Sequence, residues 1–261
     1  MARVRLDQLL VDRGLAPSRA AAQAMVLAGE VELAAGRSLK PGNLVASDVA
    51  LIVRERPRWA SRAGDKLEAA LNAFEVEVAG RTAMDAGAST GGFTDVLLSR
   101  GAVRVYAVDV GRAQLIDRLR RDPRVVSMER TNLRTLDGLP EPIDLATLDL
   151  SFISLRLVLP VVRGLLRPGG ALVALVKPQF EAGKEAVPRG GVVRDPATHA
   201  AVLHRFATDA AEAGFGLHGA IRSPVTGSEG NVEFLALLGE PPSLAPEALD
   251  ALIERLTTAS A

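Results

Sequence analysis

From Thr82 onward the chain alternates short apolar runs with helical stretches, and this alternation constrains its fold more than any other feature. The runs are "TAMDAGA", "VRVYAVDVG", "VVSME", "IDLATLDLS", "ALVALVK", "LHGAIRS" and "VEFLALL". Between them, helical spacing predicts helices at about Phe93–Ser99, Gln114–Arg121, Leu155–Leu166 and Ala197–Ala213. Such a pattern predicts an α/β fold, a largely parallel sheet covered on both faces. Ligands of these sheets sit beyond the carboxyl ends of the strands. Chemistry is therefore expected from the residues that close each run.

The first run ends in "DAGASTGGFTD". Gly87, Gly91 and Gly92 let the backbone turn tightly and approach a ligand. The next helix starts there, so its free N–H groups can face a carboxylate or phosphate. The turn has neither the G-x-G-x-x-G spacing of a dinucleotide fold nor the G-K-[ST] of a phosphate loop. Asp85, just before the turn, suits an ammonium group, and Asp109, closing the second run, suits ribose hydroxyls. S-adenosylmethionine (SAM) has an amino group, a carboxylate and a ribose. The candidate cofactor residues are Asp85, Gly87, Ala88, Ser89, Thr90, Gly91, Gly92, Phe93, Asp109 and Asn132, with Thr131 an alternative to Asn132. Phe93 is as readily a core residue as a cofactor contact.

Asp149 closes the fourth run and Lys177 the fifth, in "LVKPQFEAGK". Glu233 opens the last run and reaches the same rim if that strand runs antiparallel. Lys66 lies on a helix before the first run. The chain has only four lysines (Lys40, Lys66, Lys177, Lys184) among 31 Lys and Arg. Arginine stays protonated in proteins, whereas a lysine amine can be tuned into a base. Singly, each of the four rim residues has an ordinary structural explanation: a solvated lysine, a helix cap or an edge charge. Gathered beside a SAM turn, they would not.

Residues before Thr82 follow another pattern. "RVRLDQLLVDRG" has helical spacing at Val4, Leu6, Leu9 and Leu10, closing at Gly14. A second helix opens at "APSRAAAQAMVLAGE", with Ser18 as N-cap and Gly29 as stop. "EVELA" and "VALIV" read as short strands around the turn-rich "AGRSLKPGNLVASD". Arg19 sits badly for the helix dipole and is expected to face a partner. Residues 1–59 carry nine Lys and Arg against six acids, while the rest of the chain has 22 against 25. A basic segment on a slightly acidic one suggests that the first segment meets a polyanion. Pro57 and the clustered charges in "RERPRWASRAGDKL" mark a linker, which Trp59 pins to a neighbour.

Composition removes several function classes. Hydrophobic residues make up 48% of the chain, yet no 18-residue apolar run is free of charges, so no membrane span is expected. Asp7 and Asp12 interrupt any signal-peptide core, which points to the cytoplasm. With no cysteine there is no thiolate chemistry or Cys-based zinc site. His199, His204 and His218 are too scattered for a metal site, so no metal is expected.

The first segment resembles the S-four RNA-binding domain in Arg5-Leu6-Asp7, "SRAAAQAMVLAGEVEL" and the "LKPG" turn. Over nearly the whole chain, "SRAGDKL", "DAGASTGGFTD", "LDLSFISL", "LVKPQFEAGK", "GGVVRD" and "GNVEF" resemble the TlyA family. That resemblance implies a Rossmann-like class I SAM methyltransferase, with a mostly parallel seven-stranded sheet, behind a small α+β S-four domain. The implied organisation is 1–55 for RNA binding, 56–62 as linker, 63–242 for catalysis and 243–261 as a C-terminal helix or tail. It further implies 2'-O-methylation of a cytidine ribose in ribosomal RNA of the large subunit, in some members also the small one. Its Lys-Asp-Lys-Glu tetrad maps to Lys66, Asp149, Lys177 and Glu233. RNA contacts are expected from Arg3, Arg5, Arg19 and Lys40, and from Lys184 and Arg189 in "EAGKEAVPRGGVVRD". The haemolysin label of many members finds no support in the apolar content. Rival readings are a pseudouridine synthase, whose catalytic motif is missing, a small-molecule methyltransferase, and a methyltransferase-like ribosome-assembly factor without turnover.

Overall fold

The computed structural model describes residues 3–27, 29–33, 40–53, 58–183, 185–227 and 229–258. Its internal contacts divide the chain into two units, Met1–Pro57 and Arg58–Ala261.

In the first unit a strand precedes the helix that the sequence pattern began at Val4. Arg3–Arg5 (β1) pairs antiparallel with Leu44–Ala46 (β3), Val4 opposite Val45. Helix α1 (Leu6–Asp12) follows at once, because the Leu6 and Asp7 N–H groups go to the carbonyls of Asn43 and Pro41. Helix α2 (Arg19–Leu27) starts where the Ser18 hydroxyl accepts from the Ala21 N–H at 3.2 Å. Val31–Leu33 (β2) pairs with Leu51–Val53 (β4), so the small sheet expected from the sequence is two separate ribbons. Leu6, Leu9, Leu10, Ala22, Val26 and Val45 close the core between them.

Near the start of the second unit stands Trp59, whose ring packs so tightly on Gly64 that a Cβ there would lie 2.3 Å from it. Helix α3 (Ala63–Ala73) leads to β5 (Thr82–Ala86), α4 (Gly92–Ser99), β6 (Arg104–Val108), α5 (Asp117–Arg120) and β7 (Val125–Met128). Then come β8 (Ile143–Leu148), α6 (Leu159–Leu165), β9 (Leu166–Val176), α7 (Pro178–Glu181) and α8 (Pro196–Glu212). Strands β10 (Gly216–Arg222) and β11 (Phe234–Gly239) and helix α9 (Pro246–Thr258) complete the unit.

The seven strands form one sheet in the order β10-β11-β9-β8-β5-β6-β7. β9, β8, β5, β6 and β7 are mutually parallel, and β11 is antiparallel to both β9 and β10. β5 is buried along its whole length, as a central parallel strand must be. One apolar layer gathers α6, α8 and α9, the other α3 and α4.

Two elements depart from the sequence pattern. α5 is one turn long because Ala113 has φ +53° and Ile116 is extended, its N–H going to the Thr90 carbonyl. β9 begins at Leu166, which pairs with Ile143 instead of ending the preceding helix.

Candidate active site

The strand order lays the candidate residues along one rim. Glu233 precedes β11, Lys177 follows β9, Asp149 follows β8, Gly87 follows β5, Asp109 follows β6 and Thr131 follows β7. Because β11 runs against β9 and Phe234 pairs with Val176, Glu233 and Lys177 flank the last pair side by side. The Asp149 N–H is held by the Ala86 carbonyl at 2.9 Å.

The four tetrad candidates form two ion pairs. Lys66 Nζ lies 2.5 Å from Glu233 Oε2, and Lys177 Nζ lies 2.7 Å from Asp149 Oδ1. Lys177 also donates to the Ser151 hydroxyl at 3.0 Å. Lys66, Lys177 and Glu233 are all buried. Buried amines this deep need such partners, because an unpaired charge would carry a desolvation cost of several kcal/mol.

Two cavities meet at this rim. One, of about 480 Å³, is lined by Gly87, Ser89, Asp109, Thr131, Asn132 and Asp149, among others. The other, of about 450 Å³, is lined by Lys177, Gln179, Phe180, Asn231 and Glu233. Ser151 and Phe152 line both. Phe152 is 91% exposed, has φ +64°, and its ring centroid lies 5.1 Å from that of Phe180.

The first cavity has a fixed carboxylate in its wall. Asp109 accepts from the Ser89 N–H (2.8 Å) and the Gly111 N–H (2.6 Å), which fixes its carboxylate and leaves lone pairs for hydroxyls. Gly87 has φ +85°, and a Cβ there would lie 2.3 Å from the Asp149 carbonyl oxygen. Only glycine lets the turn close on the tetrad strand.

The rest of the turn works from behind. Asp85 is fully buried, with one oxygen accepting from the Thr94 N–H (2.8 Å) and hydroxyl (2.7 Å). Burial, with the nearby Asp149 charge adding to it, pushes its carboxyl up to about 7. Phe93 is 2% exposed and belongs to the core. Ala88 is buried in the same core, and Thr90 supplies its carbonyl to Ile116. Gly91 packs against Leu115 and Leu119, and Gly92 against Ser61 and Gly64. Asp95, on α4, accepts from the Ala60 N–H and pairs with Arg118, which fixes the segment after Arg58 to the same helix.

The first unit uses part of its positive charge internally. Asp7 is fully buried and accepts from Arg5 (2.9 Å), Arg19 (3.1 Å) and Gln23 (2.9 Å). Arg5 and these partners hold its carboxyl well below the usual range, against the opposing effect of burial. Both guanidiniums remain about half exposed, so each has one side on Asp7 and the other open. Arg3 and Lys40 are exposed. Lys184 lies outside the described residues; Arg189 is exposed and makes no ion pair among them.

A further charge pattern was invisible in the sequence. Arg62, Arg112, Arg130, Arg134, Arg189 and Arg194, all at the strands' carboxyl rim, have no carboxylate partner among the described residues. At the other end Arg100, Arg104, Arg124, Arg163 and Arg167 each meet one, Arg81 excepted. Ser151, Phe152 and Gln114 are among the lining residues that the strand-end argument missed. Ser151 and Phe152 lie within "LDLSFISL", but past the residue that closes the strand. Among the described residues no group of His, Asp and Glu is arranged to hold a metal, and no helix is long and apolar enough to cross a membrane.

Comparison with known proteins identifies the family of the chain. Residues 59–240 match the FtsJ-like methyltransferase family. YqxC of Bacillus subtilis, which carries an rRNA methyltransferase name, is 51% identical over 91% of this chain and 86% of its own. The Mycobacterium tuberculosis 16S/23S rRNA (cytidine-2'-O)-methyltransferase TlyA is 48% identical over 90% of each chain. A solved structure from Streptococcus thermophilus, under a hemolysin name, superposes with a TM-score of 0.74 at 42% identity, covering 98% of this chain and 96% of that one. The chain therefore belongs to the FtsJ-like methyltransferase family, in the group that includes TlyA.

Proposed function

We propose that this enzyme transfers a methyl group from SAM to the 2'-hydroxyl of a cytidine in ribosomal RNA, and that it works in the cytoplasm on ribosomal subunits. The carrying observation is the presence of two Lys–carboxylate couples beside a cavity of about 480 Å³ on one rim. SAM would lie in the cavity of Gly87, Ser89, Asp109 and Asn132, and the target nucleotide in that of Lys177 and Glu233. When bound, SAM supplies a sulfonium methyl carbon that takes an oxygen lone pair and leaves a neutral thioether. Lys177, its amine neutral for this step, steers the 2'-hydroxyl in line and accepts its proton. Asp149 holds Lys177, and the Glu233–Lys66 pair keeps a second cation beside the pocket. Alignment contributes about 7–11 kcal/mol in well-oriented reactions.

The relatives named as rRNA cytidine-2'-O-methyltransferases support this substrate. The unpaired rim arginines suit RNA phosphates, as do the open faces of Arg5 and Arg19 on the first unit, our proposed RNA-binding domain. The test is mass-spectrometric mapping of 2'-O-methyl groups on rRNA incubated with the enzyme and labelled SAM. New label on a cytidine ribose is expected. SAM binding without any label would instead favour an assembly factor.

A further inference from the structure

The segment after β8 is tied to the segment after β9 at two separate points. Lys177 Nζ reaches back to Asp149 Oδ1 (2.7 Å) and Ser151 Oγ (3.0 Å). Four residues after Lys177, Glu181 accepts from the Ser154 hydroxyl (2.7 Å) and the Leu155 N–H (2.8 Å). Burial raises the Glu181 carboxyl, and these two bonds offset part of that cost. Between the ties stands Phe152 at φ +64°, a conformation that costs a bulky residue energy and persists only where its surroundings enforce it. The chain is thus held in a strained path that sets the Ser151 hydroxyl on the wall common to both cavities.

From this geometry we infer that Ser151 is a positioning residue for Lys177 in the proposed methyl transfer, on which the inference rests. As a base the amine has two N–H directions and one lone pair. Asp149 and Ser151 take both N–H directions, on the β8 side of the amine. The lone pair is left for a group in the cavity that Lys177 itself lines. With Asp149 alone, the four-carbon stem could swing about a single contact and spread that direction over many orientations. Ser151 converts one tether into two and so fixes the line from amine to 2'-oxygen. Its hydroxyl is spent as an acceptor toward Lys177, so its own proton points elsewhere and does not compete for the base. Ser151 is exposed, so the fold does not depend on burying it, and its loss should not unfold the rim.

The test compares Ser151→Ala and Ser151→Thr with the wild-type full chain in steady-state methylation of rRNA, with SAM affinity measured separately by calorimetry. Misplacing a reacting group by an ångström costs up to about 100-fold, so Ser151→Ala should lose about 10- to 100-fold in kcat. Its KM for RNA and its SAM affinity should stay at wild-type values, and Ser151→Thr, which keeps the hydroxyl, should recover most of the rate. Wild-type kcat in Ser151→Ala would overturn the inference. So would a loss confined to KM or SAM affinity, or a threonine variant as slow as alanine. A wild-type enzyme that binds SAM but leaves rRNA unlabelled would overturn the methyl-transfer reading, and this role with it.

Discussion

Replacing Asp85 by asparagine should remove a pH dependence built into the centre of the sheet. The carboxyl is raised from 3.8 to about 7 in the folded protein, chiefly by burial. Between those values the folded state keeps a proton that the unfolded chain has lost. Stability from this group is therefore full below pH 4 and falls as pH rises toward 7. Each pH unit in that window costs about 1.4 kcal/mol, or about 4 kcal/mol across it. Asparagine has nearly the same shape and can still accept from the Thr94 N–H and hydroxyl, but it carries no charge at any pH. Asp85→Asn should match wild type at pH 4 and exceed it by up to about 4 kcal/mol at pH 8. Urea unfolding of both proteins at pH 4, 5.5, 7 and 8 measures this directly. Parallel stability curves would refute the reasoning, because they would mean that the carboxylate ionises as easily inside as outside. SAM affinity should fall less in this variant than in Asp109→Asn, since Asp109 lines the cavity and Asp85 stands behind the turn.

Lys177→Arg keeps the charge but loses the base, so methylation should fall at least about 100-fold while calorimetry finds SAM still bound. Lys66→Met leaves Glu233 buried without its partner and should destabilise the protein by about 3–5 kcal/mol in urea titrations. Adding Glu233→Gln should restore much of that stability but not turnover. Alanine at Arg112, Arg130 and Arg134 together should weaken RNA binding and flatten its dependence on salt, lowering the logarithmic slope by about 0.7–0.9 for each phosphate no longer neutralised. Unchanged slope in a filter-binding series would mean that these side chains do not meet phosphate.

The sheet was legible because each of its strands is an apolar run, and burial on both faces leaves little else that "ALVALVK" or "VEFLALL" could be. The rim residues were legible for the same reason: a strand end is visible as the point where the apolar run meets Asp149 or Lys177. What escaped was set by partners distant in sequence. β1 exists because Val4 finds Val45, and no local period records that pairing. α5 is short because Ile116 spends its N–H on Thr90. Gly91, Gly92 and Phe93 looked like cofactor contacts because they follow the turn, yet they pack inward on Leu119, Ser61 and the α4 core. Arg5 and Arg19 looked free for RNA, but Asp7 claims one side of each. Ser151 lies three residues past its strand, where direction depends on the path of a loop.

The strand order splits the labour of the rim between the two halves of the sheet. The cavity of Gly87 is lined by residues that follow β5, β6, β7 and β8, whereas that of Lys177 is lined by residues that follow β8 and β9 or precede β11. A descendant could therefore change its acceptor by rebuilding the loops around β9 and β11 alone, inheriting the donor half untouched. The stretch after β8, where Gly87 rests on the carbonyl of Asp149 and Ser151 and Phe152 line both cavities, would have to be kept by every such lineage.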